Sequence, residues 1–140
     1  MFPPRIPFTD MSDLDSIRQA LTDHPTVRVA LVFGSVASGE AGPTSDVDVA
    51  VAADRPLSST ERQGLIEAVA IATGRPVDLV DLLADGGPVL QQALSTGKLV
   101  LCLDRRVWER VILRQIYYEA DFMPIYRSIL AERRRQWIGT

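Results

Sequence analysis

An α/β domain is predicted: a small mixed β-sheet of about four strands with flanking helices and a long C-terminal helix. Three features predict it. Helix and strand patterns follow one another in the order helix, strand, strand, helix, strand, helix, strand, long helix. The two apolar strands at residues 27–33 and 46–52 stand close enough in sequence to pair as antiparallel neighbours. At 140 residues the chain fits one domain, which can bury a core without disulfides or structural zinc. The sheet is therefore mixed, with helices packed on it, rather than doubly wound.

Each element has its own local signal. Residues 1–10 are Pro-rich and read as an irregular arm. Ser12 with Asp15 is expected to cap a helix whose apolar positions are Leu14, Ile17 and Leu21, ended by His24-Pro25. Residues 27–33 form a strand broken by Gly34, and 35–39 a short helical turn that Gly39 can close in a left-handed conformation. Residues 41–45 are a loop. Residues 46–52 alternate, with Asp46, Asp48 and Ala50 on one face and Val47, Val49 and Val51 on the other.

Ser58 or Ser59 caps the next helix, 61–73, with Leu65, Ile66, Val69 and Ala70 inward and Gly74 as its stop. Residues 76–83 are the third strand. A short helix over 88–95 closes at Gly97, and 98–103 is the fourth strand. Asp104 caps the last helix, where Pro124 should introduce a kink. We divide the chain into the arm at 1–10, a core at 11–104, and a C-terminal helix at 105–140 that packs on the core, on a partner, or on both.

The chemistry concentrates where the first two strands meet. Gly34-Ser35 ends the first strand, ten residues intervene, and Asp46-Val47-Asp48 opens the second. Carboxylates two apart on a strand share a face and repel each other. A divalent cation removes that repulsion, and hard ions such as Mg²⁺ prefer oxygen ligands. Two such ions, about 3.5–4 Å apart, can clamp the attacking and leaving oxygens of a phosphoryl centre. A third carboxylate would activate the attacking hydroxyl. Asp78 suits, being early in an otherwise apolar strand, and Asp81 ranks below it because odd spacing turns it to the other face. Gly34 lets backbone approach a triphosphate, and Ser35 offers a hydroxyl and an N–H at a helix start. Ser45 can donate to a phosphate or satisfy its own loop. A Gly-Ser turn or an Asp-x-Asp alone is commonplace. The combination in strand–turn–strand context is not, and an exposed strand face fits poorly with apolar flanks on both sides.

This pattern, Gly34-Ser35, Asp46-x-Asp48 and the strand Val77-Asp78-Leu79-Val80-Asp81, resembles the polymerase-beta-type nucleotidyltransferase superfamily. More narrowly it resembles the minimal nucleotidyltransferases, the MNT or MntA-like antitoxins, over roughly residues 27–103. The resemblance implies the nucleotidyltransferase fold, Mg²⁺ ligands at Asp46 and Asp48, the third carboxylate at Asp78, and triphosphate contacts at Gly34 and Ser35. It further implies transfer of AMP from ATP to a tyrosine of a helical HEPN-type RNase toxin, and a hetero-oligomer with that toxin. Two alternatives stand beside it. One is a small-molecule nucleotidyltransferase of the aminoglycoside kind, disfavoured by an Arg-rich C-terminal helix. The other is a silent antitoxin acting by contact alone, which the intact carboxylate set does not favour.

The remaining residues bound the function. Apolar residues make up 46% and aromatics 6%, so the core should be Ala, Val, Leu and Ile. The single cysteine, Cys102, excludes an internal disulfide and a Cys-cluster zinc site. Within apolar 99–103 it reads as a small core residue. The lone His24 gives poor support for a Ser-His-Asp hydrolase, and Gly97-Lys98 lacks the Gly-rich run of a P-loop. No apolar run approaches the ~18 residues of a membrane span, and no signal peptide is evident, so a cytoplasmic location is expected. Net charge is −3, which gives no global case for nucleic-acid binding. Arg105, Arg106, Arg110, Arg114, Arg127 and Arg133 to Arg135 suggest a basic C-terminal face. On the last helix, Val107, Val111, Tyr118, Phe122, Ile125 and Ile129 form one stripe, with Trp108, Ile112, Ile116 and Met123 beside it. The second set meets either another chain or a widened face of this one.

Overall fold

The computed structural model of the protein describes residues 11–39 and 45–120. The expected arm at 1–10, the Pro124 kink, Arg127, Arg133 to Arg135, and the apolar positions from Phe122 onward lie outside the described residues. The elements are α1 (Met11–Thr22), β1 (Val29–Phe33), α2 (Gly34–Ser38), β2 (Val47–Ala52), α3 (Ser59–Thr73), β3 (Val77–Asp81), α4 (Pro88–Thr96) and β4 (Lys98–Cys102). Residues 105–120 are helical and are called α5.

The sheet is mixed, in the order β3-β2-β1-β4. β1 pairs antiparallel with both β2 and β4, while β2 and β3 run parallel. The expected antiparallel pairing of the first two strands is therefore present. The parallel pair needs a crossover, and α3 supplies it. β2 starts at Val47, so Asp46 lies just outside the strand rather than opening it.

Helices cover both faces, which is why the inner strands are buried on both sides. Val32, Val49, Val51 and Leu79 pack with Ile17 and Leu21 of α1 and Leu65 and Val69 of α3. On the other face Leu31, Phe33, Ala50 and Val80 pack with Leu90 and Ala93 of α4 and Val107 and Val111 of α5. Each fully buried aliphatic side chain contributes roughly 1.5–3 kcal/mol. The alternation expected of the second strand thus fades after Asp48, because Ala50 and Ala52 are as buried as the valines.

Caps set where the helices stop and start. The Ser58 side chain accepts from Glu61 N, and Glu61 Oε1 accepts from Ser58 N at 2.9 Å, a complete capping box. The hydrogen-bonded Arg55 guanidinium holds the Glu61 carboxyl down at about 2. Gly74 ends α3 in the left-handed region, its N–H on Ala70 O. Asp104 Oδ1 accepts from Arg106 N at 2.9 Å and starts α5 as expected. Two of the arginines assigned to a basic face are committed to carbonyls of the body. Arg110 donates to Asp54 O at 2.7 Å, and Arg114 to Leu82 O and Asp85 O. Within the described part of α5, Val107 and Val111 are buried and Trp108 and Ile112 half-buried, whereas Leu113, Ile116 and Tyr117 are exposed.

Cys102 corrects an expectation. It is exposed, not a core residue. β4 is an edge strand and only Val100 and Leu101 of it are covered. The strand outruns its helical cover at both ends. No described helix is long and apolar enough to cross a membrane.

Candidate active site

The pairing of three strands brings the sequence motif together. Phe33, the last residue of β1, lies opposite Asp48 on β2. Asp48 in turn lies opposite Asp78 on the parallel β3. Partners across a ladder share a face, so Asp48 and Asp78 both stand on the face covered by α4 and α5, at the uncovered end. Asp48 is half-buried, and Asp46 and Asp78 are exposed. Ser35 and Ser45 are half-buried beside the same strand ends.

The charge of this corner is unbalanced. The Asp48 carboxyl is held above its ordinary range, first by burial, then by the charge of Asp78, then by that of Asp46. All three causes penalise the ionised form. A divalent cation would relieve each of them, so the donor set suits a hard ion. Among the described residues no three His, Cys, Asp or Glu side chains form a ready cage for a metal. Mg²⁺ is usually held by only one or two carboxylates, with substrate phosphates and water completing its shell.

Gly34 is fixed by this corner. Its φ is +73°, and an added Cβ would collide with Asp48 Oδ2 and stand 3.1 Å from Asp48 Cγ. A side chain there is excluded both by backbone conformation and by the carboxylate. α2 follows at once, and Gly39 closes it in the left-handed region with its N–H on Ser35 O and Val36 O, as the sequence predicts.

Asp81 is used differently. It is fully buried, on the opposite face from Asp78. Its Oδ2 accepts from Leu57 N at 2.7 Å and its Oδ1 from Leu83 N at 2.9 Å. Asp85 accepts from Asp81 N at 2.9 Å and from Arg62 Nη2 at 3.2 Å, and Arg62 also donates to Leu79 O. This network ties the end of β3 to the start of α3. The structure thus sets Asp78, not Asp81, beside Asp48.

His24 precedes β1, at the end of the sheet away from the carboxylates, next to Gly64 of α3. Lys98 opens β4 opposite Val32, on the face away from Asp48. Sequence reasoning missed Arg75, whose Nη1 donates to Ser45 O at 3.2 Å. Thirty residues separate the two, and nothing local signals the contact.

Two outcomes follow from this geometry. Gly34→Ala should lower stability by about 1–3 kcal/mol in a thermal or denaturant melt, and combining it with Asp48→Ala should recover part of the loss. Without divalent cations, Asp48→Asn should melt above the wild type at neutral pH. The raised folded-state pKa means that the stability linked to Asp48 is full below the usual carboxylate value and is lost as pH rises from there through the higher folded-state value. The difference in Tm should therefore vanish in acid.

The family described as Polymerase beta, Nucleotidyltransferase matches residues 15–106. The protein adenylyltransferase MntA of Shewanella oneidensis is 35% identical over 74 residues, which span 53% of this chain and 53% of that protein. The match thus spans about half the length of that relative. A chain from the crystal structure of a toxin–antitoxin with AMP-PNP superposes with a TM-score of 0.67 at 26% identity, covering 84% of this chain and 98% of that one. A chain from a structure of tri-AMPylated Shewanella oneidensis HEPN toxin in complex with MNT antitoxin gives 0.62 at 25% identity, covering 85% and 97%. With the carboxylate corner in place and well over half of its length matched, the chain belongs to the polymerase beta nucleotidyltransferase family.

Proposed function

We propose that this protein is a Mg²⁺-dependent adenylyltransferase that moves AMP from ATP to a hydroxyl of a HEPN-type toxin, a tyrosine by preference, and so acts as that toxin's antitoxin. The observation that carries the reading is the register that stacks Asp48 on Asp78 beside the Gly34 turn. Support for the partner comes from the MntA relative and from the toxin–antitoxin complexes, one with AMP-PNP and one with an AMPylated toxin. The apolar Leu113, Ile116 and Tyr117 exposed on α5 suit assembly with a second chain.

Each residue then has a task. Gly34 lets the turn approach the triphosphate without a side chain in the way, and Ser35 and Ser45 offer hydroxyls to its oxygens. Asp46 and Asp48 would hold Mg²⁺, two ions in the full site, with Asp78 completing the set. The bound ions would offset charge on the α-phosphate and on the departing pyrophosphate. Asp78 accepts the acceptor's proton as its oxygen attacks the α-phosphorus. The bond to the β-phosphate breaks, and pyrophosphate leaves.

The test is to produce the chain with its candidate toxin, add ATP and Mg²⁺, and record intact masses of both proteins. One or more AMP units on the toxin are expected. Asp46→Asn, Asp48→Asn and Asp78→Asn should each slow transfer by on the order of 100-fold or more, since each removes several kcal/mol of charge stabilisation, while remaining folded. Asp81→Asn should instead lower Tm, because a buried acceptor of two backbone N–H groups is changed. Binding without added mass under any nucleotide would favour neutralisation by contact, and no binding would favour a small-molecule acceptor.

A further inference from the structure

The turn between α3 and β3 grips the chain on both sides of Asp46. Val47 N donates to Pro76 O at 2.8 Å. Arg75 Nη1 donates to Ser45 O at 3.2 Å. Asp46 is the residue between these two anchored neighbours, and both anchors come from the consecutive residues Arg75 and Pro76. It is exposed and lies outside the β2 ladder. Asp48, whose carboxyl feels the charge of Asp46, is also acidic, and Asp78 lies in register with Asp48. Like-charge repulsion from Asp48 opposes this placement of Asp46, and the two anchors act against it.

We propose that Arg75 is a positioning residue: by fixing the carbonyl of Ser45 it aims the Asp46 carboxylate into the cation site. The inference rests on the reading of Asp46 and Asp48 as cation ligands. Gly74 makes the arrangement possible. Its left-handed backbone, with N–H on Ala70 O at 2.8 Å, stops α3 and turns the next residue back toward the strand ends. The guanidinium suits the task because it stays charged at any working pH and presents several donors in a fixed plane. Groups that orient a metal ligand from behind typically govern affinity by about 10–100-fold. A ligand displaced by 1 Å can cost on the order of 100-fold in rate.

The test measures cation binding itself. Free Mn²⁺ is followed by electron paramagnetic resonance during titration with the full chain, for wild type, Asp48→Asn, Arg75→Met and Arg75→Gln, each with its Tm. We expect both Arg75 variants to keep a Tm near that of the wild type and to bind Mn²⁺ about 10–100-fold more weakly. Wild-type Mn²⁺ affinity in either folded variant overturns the inference. Unfolding of both overturns it too, since Arg75 would then hold the domain together rather than aim Asp46. If the wild type binds no Mn²⁺ beyond that held by AMP-PNP alone when the analogue is added, or Asp48→Asn binds it equally well, the cation-ligand reading itself falls. That result differs from a failure of Arg75 alone.

Discussion

The structure depends on how closely the carboxylates of Asp46 and Asp78 are held to that of Asp48 at one end of the sheet. Asp48 bears the cost, being half-buried at a strand end with Asp78 in register across one ladder and Asp46 two residues away. Its carboxyl is pushed up by burial and by both neighbours. A site of this kind opposes the stability of the free protein and is relieved by binding a cation. On the proposed function, stability and cation binding therefore pull in opposite directions at Asp48. The fold supplies the rigidity that keeps the three groups from relaxing apart.

That rigidity has identifiable sources. The two central strands are covered on both faces, by α1 and α3 on one side and by α4 and α5 on the other. Gly34 is locked against Asp48 by contact and by its backbone angle. The end of β3 is tied to the start of α3 through Asp81, Asp85 and Arg62. The acidic residues of β3 thus divide by face: Asp78 serves the open corner, and Asp81 holds the scaffold that keeps Asp78 in register.

Much of this was legible in the sequence because the signals are local. A strand ending in Gly-Ser and a second strand opening with Asp-x-Asp define a corner by period and turn chemistry alone. Ser58, Gly39, Gly74 and Asp104 mark helix ends through capping rules that need no tertiary context. The preference for Asp78 over Asp81 followed from the two-residue period of a strand. Illegible parts were those set by the neighbour across space. Cys102 reads as core in an apolar run, but its exposure depends on β4 being an edge strand that outruns its helical cover. Arg110 and Arg114 read as a basic surface, yet their partners are carbonyls about thirty to fifty-six residues away. The Arg75 contact with Ser45 is hidden for the same reason.

The central claim is that the corner at Gly34, Asp48 and Asp78 is where cation and triphosphate meet. A crystal structure of the chain grown with Mn²⁺ and a non-hydrolysable ATP analogue, with anomalous scattering to locate the metal, tests it most directly. The account predicts a manganese peak within ligand distance, about 2.0–2.3 Å, of Asp46 and Asp48 carboxylate oxygens, with the triphosphate against the Gly34-Ser35 turn. Manganese or nucleotide bound elsewhere, with that corner empty of both, would contradict it.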